Sequence, residues 1–503
     1  MMTSTMIRTM ASLLALALAL VACGQHPDVH VEGDPLAQQD DGLGDSQQSA
    51  EPGDSLEVDD EGQPIVPDGE DPESFDPEGI ENGEDGVADP GPAEEGGEAA
   101  GNGEAGNGAE NGDGNGDGSG EAQQQGQQEP QGQDTTGVDD DSIQIAVHAP
   151  VTGAAPLPSQ AFEEAGDLYW RWVLEEQGEE VLGRSNVEVE FADDRYEPTT
   201  ARQVCRELFS RNFLVVGGGG TDSIQACGEL AGRSSVPYFS PGVTDAGLEG
   251  NPWYFPASMT YRQQGDLLAQ MVSSRFEGAT AAAVVTQTPN FDGAVEGWEQ
   301  GVQQHGVDYA ETLRPPRGQT GWYADFANRL GDQGVDVVYV NTSPLDYIRF
   351  AQNAEDQGHD FQFVGVGVTM GLNDVLANGC PEVDGGVFFS PIPSLDVVDD
   401  LDPEFRQALD RFGVPESDLA LAIWALGRAQ HEMFDRYEER FGTELTREDF
   451  RAVVESAGTV ETGVFPPVQY SPDVDFGGQA VHVLEADCSA EIHRDAGTNQ
   501  TSF

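Results

Sequence analysis

The sequence contains no lysine. Its 22 basic residues are all arginines, set against 92 Asp and Glu, and the formal net charge is -70. That absence excludes a Schiff-base lysine, a P-loop lysine beneath a phosphate, and the lysine–glutamate pair of protein kinases. Arginines this sparse cannot build the basic stripe that a nucleic-acid backbone requires, so no nucleic-acid partner is expected. The eight histidines form no HExxH arrangement, no two cysteines stand in a CxxC, and no GxSxG elbow occurs. Neither metal catalysis nor α/β-hydrolase chemistry is indicated, and no metal or cofactor is expected. The excess of acid predicts a strongly solvated surface. Adaptation to high salt is the sharper expectation, because repulsion between acidic groups is screened over about 3 Å at about 1 M salt.

Long apolar runs are missing as well. Arg8 precedes a short one, Met10–Val21, of about a dozen residues, where a bilayer needs about 20. That length suits the apolar region of a secretory signal. The run ends in Leu20-Val21-Ala22-Cys23-Gly24, which resembles the processing box of bacterial lipoproteins. The resemblance implies cleavage after residue 22, lipid attachment at Cys23, and a protein held at the outer face of the membrane, since two or more acyl chains anchor stably. From 24 to 140 there is no arginine, there are 34 Asp and Glu, and aromatic and β-branched residues are nearly absent. Such a tract cannot bury enough apolar surface to offset its ordering entropy, so residues 23–140 are expected to be a disordered tether. As a flexible coil it would span about 60 Å, and more under its own charge.

From Ser142 the pattern changes to strands alternating with helices. Strands are predicted at 142–147, 186–191, 213–216 and 236–240, with helices at 159–177, 198–211 and 222–233 between them. A second series follows, with strands at 281–286, 309–314, 335–340 and 361–366 and helices at 291–305, 322–330 and 344–357. Beyond Pro403 the chain turns mainly helical, with 418–441 the longest candidate. This alternation predicts an α/β fold with parallel sheets flanked by helices, and its restart predicts two lobes. Ligands of open parallel sheets bind at the loops that follow the carboxyl ends of strands.

Several of those loops carry a resemblance. Ala149-Pro-Val-Thr-Gly153, Val215-Val-Gly-Gly-Gly-Gly-Thr-Asp-Ser223, Val236-Pro-Tyr-Phe-Ser-Pro-Gly-Val-Thr244, Asn290-Phe-Asp-Gly293, Val335-Asp-Val-Val-Tyr339 and Gly385-Gly-Val-Phe-Phe389 follow one another in an order and spacing similar to type I periplasmic binding proteins of the branched-chain amino acid and amide branch. The resemblance implies two lobes joined by three hinge crossovers. Lobe one would take about 141–258 and 392–466, and lobe two about 259–391 and 467–490, with 491–503 a disordered tail. It also implies a monomer that closes on a small-molecule solute and delivers it to an ABC permease.

Carried over residue by residue, Thr221 and Thr244 match hydroxyls that hold a ligand carboxylate. Asp222 and Gly242 stand beside them, Phe291 matches an aromatic against the ligand, and Asn341, Thr342 and Ser343 follow a lobe-two strand that faces the cleft. Thr221 also opens a helix, where orphan N–H groups favour an anion. Gly367 falls where amino-acid receptors place the acid that binds the ammonium group, and the family's ligand tyrosine is absent too. An ordinary α-amino acid is therefore not the expected ligand, unless Asp374 or Asp222 substitutes. His148, beside the first ligand loop, is expected to be structural, and Asp193 and Asp194 are expected to be loop charges.

Four cysteines beyond Cys23 in an exported chain favour disulfides. Cys205 and Cys227 fall on consecutive helices flanking one strand, which makes Cys205–Cys227 and Cys380–Cys488 the expected pairs; two other connectivities are formally open. The competing readings are a sensory lipoprotein whose closure signals to a membrane partner, and an enzyme on this scaffold, for which no nucleophile–base pair is visible.

Overall fold

The computed structural model describes residues 133–153, 155–242, 246–367, 371–472 and 476–503. Cys23, the apolar leader, the acidic tract up to residue 132 and Thr244 lie outside these segments. Among the described residues no helix is long and apolar enough to cross a membrane.

Lobe one begins with β1 (Ser142–Ala149), a short helix α1 (Gln160–Glu163) and α2 (Leu168–Arg171), which runs into a π-helical turn at Trp172–Gln177. Then come β2 (Asn186–Asp193), α3 (Pro198–Phe209), β3 (Leu214–Gly217), α4 (Thr221–Ser234), β4 (Tyr238–Ser240) and β5 (Tyr254–Pro256). The five strands pair in parallel in the order β2-β1-β3-β4-β5. The chain then enters lobe two with α5 (Tyr261–Arg275), β6 (Thr280–Val285), α6 (Asp292–His305), β7 (Asp308–Leu313), α7 (Tyr323–Asp332), β8 (Val337–Asn341), α8 (Pro344–Asp356), β9 (Gln362–Val366), α9 (Asn373–Gly379) and β10 (Val387–Ser390). It returns to lobe one as α10 (Val398–Leu401), α11 (Pro403–Phe412), α12 (Asp418–Phe441), α13 (Arg447–Glu455) and the hairpin β11 (Gly458–Val460) with β12 (Val468–Tyr470). A third crossing leads to β13 (Val481–Asp487) and β14 (Ile492–Gln500). The second sheet has the order β14-β13-β10-β9-β8-β6-β7, with β13 and β14 antiparallel to their neighbours and the rest parallel.

The local chemistry explains these elements. β1 and β8 are buried almost throughout because helices cover both faces of a parallel sheet, and Val337–Val340 of β8 accordingly reads as an apolar run rather than an alternation. Pro198 and Pro344 stand at the first turn of α3 and α8, where a missing N–H costs nothing. Ser343, Ser417 and Thr446 cap α8, α12 and α13 with their side-chain oxygens. The apolar residues along 419–433 are core. Trp424 is fully buried, and its Nε1–H donates to Asp402 at 2.7 Å.

Three expectations need correction. The helix expected over 159–177 is broken into three pieces, because Ala165-Gly166 separates α1 from α2 and the last stretch winds as a π turn. The tail expected at 491–503 is instead mostly β14, paired with β13 and so added to the edge of the second sheet. The end of the expected tether, residues 133–140, packs on lobe one: Val138 bridges Ile143, and Asp134 pairs with Arg447 at 2.9 Å. The bridges Cys205–Cys227, between α3 and α4, and Cys380–Cys488, between the end of α9 and the end of β13, are both present.

Candidate functional site

The carboxyl ends of both parallel sheets open onto one cavity of about 160 Å³. Lobe one contributes Pro150 and Leu157 after β1, Gly218–Thr221 after β3, Ile224 on α4, Pro241 and Gly242 after β4, and Leu419 at the start of α12. Lobe two contributes Tyr261 at the start of α5, Thr286, Thr288 and Phe291 after β6, Arg317 and Thr320 after β7, and Thr342–Asp346 with Arg349 after β8. Most of this wall is apolar, and its polar groups converge from a few turns.

The floor on the lobe-one side is the start of α4. Gly220, at φ +77°, is its N-cap, and a Cβ there would stand 2.8 Å from the Tyr196 ring and 3.1 Å from Pro150. Gly220 has no side chain to cap with, so the first N–H groups of α4 are left for solvent or solute. The Thr221 hydroxyl lies beside them, 3.4 Å from the Tyr196 hydroxyl. Burial, with the Asp222 charge next, pushes that phenol up to about 12, so it keeps its proton.

A buried network beneath holds this turn in place. His148 Nδ1–H donates to Asp194 at 2.7 Å, and the Tyr238 hydroxyl meets His148 Nε2 at 2.7 Å. The other Asp194 oxygen accepts from the Ser223 hydroxyl and the Tyr196 N–H, both at 2.8 Å. His148 is structural, as expected. Asp194 is not a loop charge but a fully buried hub, whereas Asp193 does serve its loop, accepting from the Val151, Thr152 and Arg195 backbone. Ser, His and Asp meet here, yet Ser223 donates to the carboxylate and not to the imidazole, so the order is not that of an activated nucleophile. His148 also approaches Cys205 and Cys227, but those two sulfurs are bonded to each other and offer no thiolate to a metal.

The expected site residues divide. Thr221, Gly242, Phe291 and Ser343 line the cavity. Phe291 packs edge-to-face on Tyr261 with centroids 5.4 Å apart. Asn341 does not line it; it is buried, with its amide directed toward the Tyr339 hydroxyl at 3.5 Å. Gly367 does not line it either. At φ +93°, a Cβ there would stand 3.2 Å from the Tyr261 ring, so this aromatic takes the room an acidic side chain would need. Asp222 is turned away from the cavity, into the contact between lobes, and Asp374 is exposed on α9.

Sequence reasoning missed Tyr196, Tyr261, Arg317 and Arg349. A signal existed for Tyr261, because Thr260 and Gln263 form a capping box that places it at the first position of α5. Arg317 follows Pro315-Pro316, a turn signal without a direction. Its guanidinium reaches across to lobe one, 4.2 Å above the Tyr196 ring, donating to the Tyr196 carbonyl and pairing with Asp222 at 2.5 Å.

Two parallel-sheet lobes, three crossings and one cavity shared between the lobes define a solute-binding protein that closes around its ligand. The chain belongs to the periplasmic binding protein family, whose sequence profile matches residues 142–490. That membership places it outside the cytoplasm. No curated protein matches the chain. Among solved structures it is similar to a fatty acid ABC transporter substrate-binding protein from Thermomonospora curvata, at 16% identity and a TM-score of 0.62 over 73% of this chain and 95% of that one. It is also similar to a branched-chain amino acid ABC transporter protein from Thermus thermophilus with bound valine, at 16% identity and 0.61 over 73% and 98%. A solute-binding protein from Rhodopseudomonas palustris BisB5 in complex with 3,4-dihydroxybenzoic acid matches at 18% identity and 0.58 over 72% and 99%.

Proposed function

We propose that this protein is a lipid-anchored receptor, attached through Cys23, that binds a compact carboxylate without an ammonium group and delivers it to an ABC importer. The observation that carries the solute class is the charge of the cavity wall. Its one carboxylate among the described residues, Asp346, is engaged on both oxygens, by the Tyr323 hydroxyl and the Ser343 hydroxyl, each at 2.8 Å. Among the described residues, an ammonium group enclosed here would meet only an acid already engaged by two hydroxyls, and a poorly paired ammonium is costly to bury. A carboxylate finds the Thr221 hydroxyl, the N–H groups opening α4, and the guanidinium of Arg349, which among the described residues has no ion-pair partner. The cavity volume is close to the roughly 150 Å³ that holds a benzene ring. Of the bound solutes in similar structures, 3,4-dihydroxybenzoic acid suits this chemistry and valine does not.

A thermal-shift screen tests the reading, with benzoates and short aliphatic acids in one set and their amides and α-amino acids in the others. An acid at about 1,000 times its dissociation constant should add about 4 kcal/mol, several degrees in melting temperature. Thr221→Val should weaken that ligand by about tenfold or more, since hydrogen bonds to charged groups contribute roughly 1.5–3 kcal/mol. Hits confined to α-amino acids would overturn the solute class, and no hit in any set would overturn the receptor reading.

A further inference from the structure

Asp222 lies at the second position of α4 in lobe one, yet the side chains that meet its carboxylate come from lobe two. One oxygen accepts from the Thr288 hydroxyl at 2.9 Å and the Asn290 amide at 2.6 Å; the other meets Arg317 at 2.5 Å. Asn290 also donates to Gln225, one turn along α4, at 2.9 Å. Only 6% of the Asp222 side chain is exposed, and it contributes nothing to the cavity wall. Arg317 leaves the loop between β7 and α7, crosses the cleft mouth and rests on Tyr196, so its guanidinium is held by a ring face, a carbonyl and a carboxylate of the opposite lobe.

We propose that Asp222 and Arg317 are an interlobe latch, positioning residues that hold the receptor shut before any solute is bound. The physical reason is the fate of the Asp222 charge. With the lobes apart it faces the water of the cleft. With the lobes together it is dehydrated, and a buried carboxylate is tolerated only when its hydrogen bonds are complete. All three of those bonds form only in the closed arrangement, and two of the donors are neutral groups on the segment that also carries Phe291. The latch therefore biases the open–closed equilibrium through a carboxylate, Asp222, that is itself off the cavity wall. A ligand that binds only the closed form loses affinity in proportion to the fraction of closed molecules, so the latch tightens binding by raising that fraction.

This inference rests on the receptor reading for its purpose, but its test needs no solute, so each can fail alone. Nitroxides at exposed positions on the two lobes, introduced by Thr199→Cys and Asp325→Cys, report lobe separation by pulsed electron resonance in the ligand-free protein. The expected result is a dominant short distance, with the closed-to-open ratio falling about tenfold or more in Asp222→Asn and in Arg317→Gln. The double variant should be no more open than either single one. Arg317 is on a partly exposed loop, so its variant keeps the test readable if Asp222→Asn fails to fold. A ligand-free wild type that is mainly open, or an Arg317→Gln variant with an unchanged distance distribution, would overturn the latch.

Discussion

Asp418, at the first position of α12, is buried, and its carboxylate accepts the Asn373 N–H of lobe two at 2.8 Å. Burial is the largest influence on it and pushes it up to about 7 from an ordinary 3.8. Between those values the folded protein holds a proton that the unfolded chain has released, so stability falls as pH rises through this window, by up to about 1.4 kcal/mol per pH unit. His482 and His493 act in the opposite sense. Burial holds both down to about 4, and His482 donates from Nε2 to the Val464 carbonyl at 2.8 Å. Below 6.5 the unfolded chain takes up protons that these folded imidazoles refuse, so their contribution is lost as pH falls from 6.5 toward 4. Asp418→Asn removes the opposing slope and keeps the acceptor for Asn373. Urea unfolding at pH 4.5, 6 and 7.5 should show the variant gaining on wild type as pH rises; a constant difference across the three values would refute the assignment.

At the scale of elements, most strands and helices of the two α/β series were legible because short apolar or alternating runs stand between turn residues, but the short strands β5 and β10 were not predicted. α5 was not, although its capping box was in view, because its apolar residues are interrupted by Gln263, Gln264, Gly265 and Asp266 and give a weak helical stripe. β14 was missed for a related reason. Ile492–Gln500 is polar and mostly part-exposed, the signature of an edge strand, and in sequence that is hard to tell from a tail. In the site, Thr221, Gly242, Phe291 and Ser343, which line the cavity, were reached through the family resemblance of their loops, whereas Arg317 and Tyr196 act across lobes, at a distance that no local pattern encodes. The segment before β1 was misread because its acidic composition continues through Asp134. There one acid pairs with Arg447, which is 4% exposed and also donates to the Phe209 and Phe213 carbonyls. A chain begun at Asp141 should therefore be about 1–3 kcal/mol less stable in urea than one begun at residue 130, and Asp134→Ala in the longer chain should reproduce much of the loss. Equal midpoints for the two chains would show that the pairing contributes nothing.

At the scale of the whole molecule, charge is the dominant variable. Between 141 and 503 there are 58 acids and 21 arginines, so the folded part alone carries a large negative charge. Many arginines are paired, as Arg406 is with both Asp399 and Glu416, and the remaining acids repel one another across the surface. Raising sodium chloride from about 0.1 M to about 2 M should move the urea midpoint upward, the screening length falling from about 10 Å to about 3 Å or less. An unchanged or lower midpoint would mean that the acidity serves solubility and not stability.

The same screening would remove the repulsion that keeps such molecules apart, and then backbone geometry must do it. β14 forms one border of the seven-stranded sheet, and its pairing with β13 breaks register between Val481 and Leu484. A bulged, twisted border bearing Arg494 and Asp495 offers another copy no straight row of free N–H and C=O groups to dock against. Irregularity of this kind is indifferent to ionic strength. At this border, protection against strand-to-strand stacking would persist in brine, after the electrostatic protection has gone.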